Sequence, residues 1–253
     1  MTRIVALSDI HGNLHALEAV LADLDGQRAP DAMWVLGDLA VFFPWPAETL
    51  ARLRALPKVS FLRGNTDRFI ATGVRPAMLP GSAQEWERMG MALAVRDANF
   101  QWTVERLSYA DYQFLAGLPE DLEVDVPGYG RVVAVHAAPG DDEARLFPHT
   151  PDEVVRPYLN SLDARLLLGG HTHLPNDRTV DGVRLVNDGS AGLPFDGDNR
   201  PSYVVLDFDD GECAVGFRRV AYDVEPVVAE LVRVEHPMRD WLISILRTGR
   251  ARI

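Results

Sequence analysis

The stretch "ALSDIHGN", residues 6–13, follows directly on the first hydrophobic run of the chain, residues 3–7. That run predicts a β-strand, and Asp9 and His11 stand two residues apart where it ends. Side chains at i and i+2 of an extended backbone point to the same side, so a carboxylate and an imidazole would lie next to each other. The stretch therefore predicts a pair of metal ligands, with a local hydrogen bond or a helix cap as the alternative interpretation.

Four later hydrophobic runs also end in polar residues of metal-binding types. The runs are residues 33–36, 59–62, 131–135 and 166–168, and they lead into Asp38, Asn65, His136, and the pair His171 and His173. Ligands of open α/β sheets bind outside the carboxyl ends of the strands, so these side chains are expected to converge. Two carboxylates, one amide oxygen and four imidazoles are too many for one ordinary ion. They suit two borderline divalent ions such as Mn²⁺, Fe²⁺ or Zn²⁺.

The composition is that of a globular protein with excess negative charge. The 253 residues are 47% hydrophobic, and no apolar run approaches the roughly 18 residues that span a bilayer. A net charge of −12, from 25 Lys and Arg against 37 Asp and Glu, would repel a polyanion such as nucleic acid. Cys213 is the only cysteine, which excludes an intramolecular disulfide and a cysteine-built zinc site. Because no charged and then apolar leader precedes the first strand, we expect a cytoplasmic protein.

Short β-rich runs alternate with helical patterns over the first two thirds of the chain, which predicts an α/β fold. Residues 1–253 are expected to form a single domain. Residues 74–118, which begin with the breaker-rich "VRPAMLPG", are expected to form a helical insertion or cap, and residues 224–253 the C-terminal helices. Aromatic side chains of the insertion are interpreted as core residues. They are Trp86, Trp102, Tyr109, Tyr112 and Phe114.

The ordered motifs D-x-H-G-N, G-D, G-N-x-D, a strand-terminal histidine and G-H-x-H resemble those of the calcineurin-like metallophosphoesterase superfamily. Residues 186–194, "VNDGSAGLP", are similar to the "VNPGSVG" stretch of its small prokaryotic, phosphodiesterase-like branch. The resemblance covers nearly the whole chain, and five motifs in order are far more specific than any one of them. It implies a four-layer α/β/β/α sandwich with a helical insertion.

The resemblance also implies a dinuclear metal site. The superfamily's ligands, carried over onto this sequence, are Asp9, His11, Asp38 and His173 for one ion, and Asp38, Asn65, His136 and His171 for the other. Asp38 would bridge the ions, and Asp38, Asn65 and His136 would be the catalytic residues. The cofactors implied are two divalent transition-metal ions, Mn²⁺ first, with Fe²⁺, Zn²⁺ or Ni²⁺ as alternatives. Attack by a hydroxide that bridges the ions would then hydrolyse the phosphoester.

The stretch "RGNTDR", residues 63–68, departs from the family pattern at Thr66, where many relatives have a histidine assigned to protonating the leaving group. A hydroxyl has a pKa far too high to act as a general acid near neutrality. We therefore expect hydrolysis of a small phosphodiester or a nucleotide phosphoanhydride rather than of an alkyl monoester. Asp67 either orients a neighbour or caps the following helix.

Four further residues are candidates for substrate contact beside Thr66. Arg63 could contact phosphate, although a surface charge is the alternative. Phe42 lies in "LAVFFPWP", residues 39–46, whose aromatic residues could stack on a nucleobase or an aryl group, or pack under the insertion. Arg145 and His149 follow the His136 strand and are expected to pass near the site.

Two other functions compete with hydrolysis of a small phosphorylated molecule. A retromer subunit of eukaryotes has this fold but an incomplete metal set and serves as a scaffold, whereas all seven ligand positions are filled here. A nuclease is the other alternative, but the acidic balance and the lack of a Lys/Arg-rich stripe count against it. The expected partner is a small phosphorylated substrate, for example a nucleotide. Neither nucleic acid nor a membrane is expected as a partner. The sequence does not indicate whether the protein is a monomer or an oligomer.

Overall fold

The computed structural model describes residues 1–75, 79–160 and 162–251, and its helices and strands alternate as predicted. The strands are β1 (Thr2–Leu7), β2 (Ala32–Val35), β3 (Val59–Phe61), β4 (Asp121–Val126), β5 (Gly130–Val135), β6 (Leu166–Gly169), β7 (Asn176–Val180), β8 (Val183–Asn187), β9 (Ser202–Asp209) and β10 (Glu212–Arg219). The helices are α1 (Leu14–Asp25), α2 (Pro46–Arg54), α3 (Asn65–Thr72), α4 (Ala83–Val104), α5 (Tyr109–Ala116), α6 (Asp152–Leu159), α7 (Glu225–Arg233) and α8 (Arg239–Thr248). None of the helices in the described ranges is both long and apolar enough to cross a membrane.

The strands form two five-stranded sheets, and each sheet contains three neighbouring parallel strands. The first has the order β10-β9-β1-β2-β3, in which β1, β2 and β3 are parallel. The second has the order β4-β5-β6-β8-β7, in which β5, β6 and β8 are parallel. Parallel strands of one sheet end at the same edge, so the residues that follow them are brought together.

The strands carry apolar residues on both faces of each sheet. One face of each sheet packs against the other sheet, and the opposite face packs against helices. Ile4 of β1 and Ala134 of β5 belong to one buried cluster between the sheets. Val5, the next residue of β1, packs instead with Leu17 of α1, and Val133 of β5 packs with α6. The predicted α/β class is therefore confirmed, with two five-stranded sheets that share a buried cluster.

The predicted helical insertion contains α4 and α5, and only its C-terminal part is buried. Phe100, near the end of α4, packs against Phe69 of α3 with ring centroids 5.9 Å apart. Trp102 is buried as predicted, but the side chains of Trp86 and Tyr109 are 64% and 73% exposed, so the core interpretation is wrong for them. Trp86 lies in residues 83–88, which are exposed on every face of α4, and Tyr109 lies in residues 108–110, which are exposed at the start of α5. Residues 76–78 of "VRPAMLPG" lie outside the described residues.

The C-terminal helices α7 and α8 pack on the loop that follows β2. Phe43 of that loop is fully buried in a cluster with Val227 of α7 and Leu242 of α8. Of the two interpretations of the loop aromatics, packing therefore holds for Phe43, although it packs under these helices rather than under the insertion.

A tight backbone crossing fixes the segment after β8 against the loop after β1. Ala191 N donates to Ser8 O at 2.9 Å, and Gly192 N donates to Asp9 O at 3.0 Å. A Cβ atom added to Gly192 would lie 1.9 Å from the carbonyl oxygen of Ile10. The small residues of "NDGSAG" are therefore required by the close approach of two main chains.

We expect Gly192→Ala to lower the free energy of unfolding by more than about 3 kcal/mol, or to prevent folding, because a backbone oxygen cannot move aside. Gly90→Ala is the matched control: Gly90 lies in the exposed part of α4 with no atom near the new Cβ. There the substitution should stabilise the helix by about 0.5–1 kcal/mol. Chemical denaturation of both variants in chelator tests this, and equal stabilities would contradict it.

Candidate metal centre

The predicted metal ligands follow the carboxyl ends of strands from both sheets, and the structure brings them to one place. They are Asp9 and His11 after β1, Asp38 after β2, Asn65 at the start of α3, His136 after β5, and His171 and His173 after β6. Five of these residues are buried, and Asn65 and His171 are half-buried. Their donor atoms fall into two neighbouring clusters.

Left-handed backbone turns set the directions of these side chains. The φ angles of Asp9, His11, Asp38, His171 and His173 lie between 54° and 64°. The extended backbone expected for Asp9 and His11 is therefore wrong, and His171 and His173 also have left-handed φ angles. Aspartate and histidine adopt this region more readily than most residues. Backbone bonds hold the turns, among them His11 N to Asp38 O at 2.9 Å.

The first cluster consists of Asp9, His11 and His173. His173 Nε2 lies 3.2 Å from Asp9 Oδ1 and 3.4 Å from His11 Nε2, and His11 Nε2 lies 3.7 Å from the same carboxylate oxygen. The Nδ1 atoms contact carbonyl oxygens, that of Val41 for His11 at 3.0 Å and that of Leu193 for His173. In the neutral form of each ring, donation from Nδ1 to the carbonyl oxygen leaves a lone pair on Nε2 that faces the centre of the cluster.

The second cluster consists of Asn65, His136 and His171. Asn65 Oδ1 lies 2.9 Å from His136 Nε2 and 3.0 Å from His171 Nδ1. His136 Nδ1 lies 2.7 Å from the carbonyl oxygen of Leu36, and donation to it leaves a lone pair on Nε2 as well. Lone pairs that face each other at this distance repel unless a cation or a proton joins them.

Asp38 stands between the two clusters. Its Oδ1 lies 3.6 Å from His136 Nε2, and its Oδ2 lies 3.7 Å from His11 Nε2. The backbone N–H of Thr66 donates to Oδ1 at 2.9 Å. The two oxygens of one carboxylate thus face different clusters, which is the arrangement that a bridging ligand requires.

Burial and neighbouring charges shift the pKa values of these groups in opposite directions. Burial raises the pKa of Asp9, but the surrounding histidines, His173 above all, outweigh it and leave this pKa well below its usual range. Burial and a neighbouring histidine lower the pKa of His11 and that of His171 to about 3. Burial lowers the pKa of His136, but the nearby carboxylates outweigh it and raise this pKa. His11 and His171 are therefore unprotonated near neutrality, the form that binds metal.

The donor atoms fit divalent transition ions. Asp9 Oδ1 is buried without a hydrogen-bond partner among the described residues, and it lies 3.2 Å and 3.7 Å from two imidazole nitrogens. An ion with bonds of about 2.0–2.2 Å to nitrogen and oxygen accommodates donors roughly 3–3.6 Å apart. Imidazole nitrogen and carboxylate oxygen are both donor types that bind divalent metal ions.

Asp67 supports the turn that carries Asp38, and it combines both of the roles considered for it. Its Oδ2 accepts the N–H of Gly64 at 3.0 Å, which caps α3, and that of Asp38 at 2.8 Å. Its Oδ1 accepts the N–H of Leu39 at 3.0 Å. Burial and the nearby Asp38 raise the pKa of Asp67 to about 7.

Three half-buried aromatic side chains border the first cluster. The ring of Phe195 stacks on His173 with centroids 4.3 Å apart, and Phe42 meets the His11 ring edge-on at 4.9 Å. Trp241 of α8 lies 5.9 Å from Phe42. Sequence reasoning identified Phe42 but missed Phe195 and Trp241, because no local pattern marks residues that reach the site only when α8 docks.

The remaining substrate candidates divide into two groups. Arg63 lines a cavity of about 300 Å³ next to His136, and the Oγ1 of Thr66 is buried without a hydrogen-bond partner among the described residues. Arg145 and His149 are exposed, and no contact within the described ranges joins either of them to the donor clusters. Their proposed contact with substrate stays a prediction.

Comparison with known proteins gives relatives over the full length of the chain. The uncharacterized protein MJ0912 of Methanocaldococcus jannaschii is 30% identical over an alignment 262 residues long, gaps included, which covers 98% of each chain. The crystal structure of a metallophosphoesterase from Sphaerobacter thermophilus matches with a TM-score of 0.75 and 27% identity, over 98% of this chain and 99% of that one.

A third comparison concerns the fold alone. Hypothetical protein PH1004 from Pyrococcus horikoshii OT3 matches over 100% of both chains with a TM-score of 0.82 at 22% identity.

The family model of the calcineurin-like phosphoesterase superfamily domain matches residues 2–211. With its strand-end motifs, its two stacked sheets and this match over most of its length, the chain belongs to the calcineurin-like phosphoesterase superfamily.

Proposed function

We propose that the protein is a dinuclear metal-dependent phosphoesterase that hydrolyses a small phosphodiester or a nucleotide phosphoanhydride. The observation that carries the proposal is Asp38, whose two carboxylate oxygens face different donor clusters at 3.6 Å and 3.7 Å. Two divalent ions held there, Mn²⁺ first and Fe²⁺, Zn²⁺ or Ni²⁺ as alternatives, would acidify water and neutralise phosphoryl oxygens.

The protein's own residues have separate tasks in this proposal. Asp38 links the two donor clusters. Hydrogen bonds with the backbone N–H of Thr66 and with the carboxylate of Asp67 fix its position. Asn65 and His136 complete the second cluster, next to the cavity into which a substrate can enter. Fixed donors of this kind stabilise developing charge without reorganising during the reaction.

The cavity beside His136 favours a small substrate over nucleic acid. Its volume of about 300 Å³ suits a small molecule. Its wall carries two arginines, Arg63 and Arg68, and a larger set of carboxylates, which are Glu120, Asp141, Asp142 and Glu143. Such a wall would repel a long polyanion. In the part of the chain that the structure describes, Arg63 forms one ion pair, with the exposed Glu120 at 2.6 Å, and the rest of its guanidinium is available for a phosphoryl oxygen.

The aromatic border of the first cluster supports an aryl or nucleotidyl group in the substrate. Phe42, Phe195 and Trp241 are half-buried, so each ring retains exposed surface near His11 and His173. Planar groups pack on such rings with a preference for offset or edge-on contacts. A scaffold function is less well supported, because every ligand position carries a metal-binding side chain.

The first prediction of the proposed function concerns the two histidines after β6. Because His171 faces Asn65 and His173 faces Asp9, we expect His171→Ala and His173→Ala each to reduce the number or the affinity of bound Mn²⁺ ions. Elemental analysis of the desalted proteins measures this. His149→Ala, which removes an exposed histidine, should retain the metal content of the parent. Two tightly held ions in both variants would refute the assignment.

The second prediction concerns the bridging residue. We expect Asp38→Asn to lower kcat on an aryl phosphodiester by more than about a hundredfold, since loss of a mere supporting contact to a ligand already costs 10–100-fold. Circular dichroism should show an intact fold. Asp209→Asn, at a surface carboxylate that is 70% exposed, is the control and should keep full activity. Turnover like that of the parent with two ions bound would remove Asp38 as the bridge.

The third prediction concerns leaving groups and rests on Thr66. Without an acid beside the leaving oxygen, kcat/KM should fall steeply as the leaving-group pKa rises across a series of phosphodiesters. Thr66→His should raise activity on alkyl monoesters by about ten- to a hundredfold if the imidazole reaches the oxygen. A flat dependence in the parent protein, with chemistry shown to be rate-limiting, would mean that another group supplies the proton.

A further inference from the structure

A second buried carboxyl group lies behind the first donor cluster. Asp188 follows β8 and is fully buried, as is Ser8, the last residue before Asp9. Asp188 Oδ2 has no hydrogen-bond partner among the described residues.

The Ser8 hydroxyl joins the two carboxyl groups. Ser8 Oγ lies 2.6 Å from Asp188 Oδ1 and 2.5 Å from Asp9 Oδ2. The backbone N–H of His171 donates to the same Asp9 oxygen at 2.8 Å. A Cβ atom at Gly170 would lie 2.2 Å from Ser8 Oγ, so this side of the contact is closely packed.

The number of protons decides the direction of these hydrogen bonds. A hydroxyl has one hydrogen to donate, whereas two ionised carboxylates can only accept. One of the two carboxyl groups must therefore carry a proton. Asp9 faces several imidazoles and accepts an N–H, which favours its ionised form. Within the described ranges the Ser8 hydroxyl is the one side chain that is hydrogen-bonded to the Asp188 carboxyl group, and burial, with the nearby charge of Asp9, raises the pKa of Asp188 well above its usual range.

We propose that Asp188 and Ser8 are positioning residues for Asp9, in a chain in which neutral Asp188 donates to Ser8 Oγ and Ser8 donates to Asp9 Oδ2. The chain occupies one oxygen of Asp9 and leaves Oδ1 directed at His11 and His173. Partners of this kind orient a ligand and set its basicity. The inference rests on the proposed metal-binding function and adds two residues to it.

The experiment compares Mn²⁺ binding, by titration calorimetry, in three variants of the full chain. Ser8→Ala and Asp188→Ala each interrupt the hydrogen bonds from Asp188 through Ser8 to Asp9. We expect each substitution to lower the affinity for one of the two Mn²⁺ ions by about 10–100-fold. Asp188→Asn keeps an N–H donor towards Ser8, so its affinities should stay within about threefold of the parent protein. Two results would overturn the proposal: Mn²⁺ affinities in Asp188→Ala equal to those of the parent protein, or equal losses of affinity in Asp188→Asn and Asp188→Ala.

An infrared measurement tests the protonation state independently of metal binding. Because Asp67 is also partly protonated at pH 7 and contributes a band to both proteins, the quantity to measure is the difference between the spectrum of the parent protein and that of Asp188→Asn. This difference should contain the C=O stretch of one protonated carboxyl group, and its absence would overturn the proposal even if Asp188→Ala fails to fold. A parent protein that binds no divalent ion would defeat the proposed function as well. Changes confined to the variants concern Asp188 and Ser8 alone.

Discussion

The donor clusters exist because the carboxyl ends of parallel strands from two separate sheets meet at one edge of the stacked pair. β1 and β2 of the first sheet supply Asp9, His11 and Asp38, whereas β5 and β6 of the second supply the remaining histidines. Neither sheet alone holds a complete set of donors. The apolar layer between the sheets, which includes Ile4 and Ala134, therefore determines the spacing of the metal site as well as the stability of the fold.

The strand-end turns combine strained backbone with unusually dense support. Left-handed φ angles at non-glycine residues disfavour the folded state by about 1–3 kcal/mol each, and five predicted ligands have them. Asp67 compensates at one turn, where its carboxylate accepts the N–H groups of Asp38 and Leu39. The crossing of Gly192 over Asp9 does the same at another. Strain of this kind persists only where the surroundings fix the backbone, and here it directs the ligands inward.

Buried charge is the second constraint on the site. Several carboxylates and imidazoles lie within a few ångströms of one another and away from water, an arrangement that is unfavourable unless protons or cations balance the charge. The opposite pKa shifts of Asp9 and Asp67 express this: one carboxyl group is held ionised by histidines and the other is driven towards its neutral form. Groups of one chemical type thus acquire different protonation states from position alone.

The sequence by itself determined the α/β class, the strands that lead into the site and the identity of the seven candidate ligands, because each ligand lies within a few residues of the hydrophobic run that positions it. It did not determine the directions of the side chains, since the extended geometry assumed for Asp9 and His11 gives way to left-handed turns. Tertiary structure alone decided which residues stand behind the ligands. Asp188 reaches Ser8 across 180 residues, and Trp241 reaches Phe42 only because α8 docks beside the site. It also left Trp86 exposed, because burial depends on a neighbouring element that local periodicity does not specify.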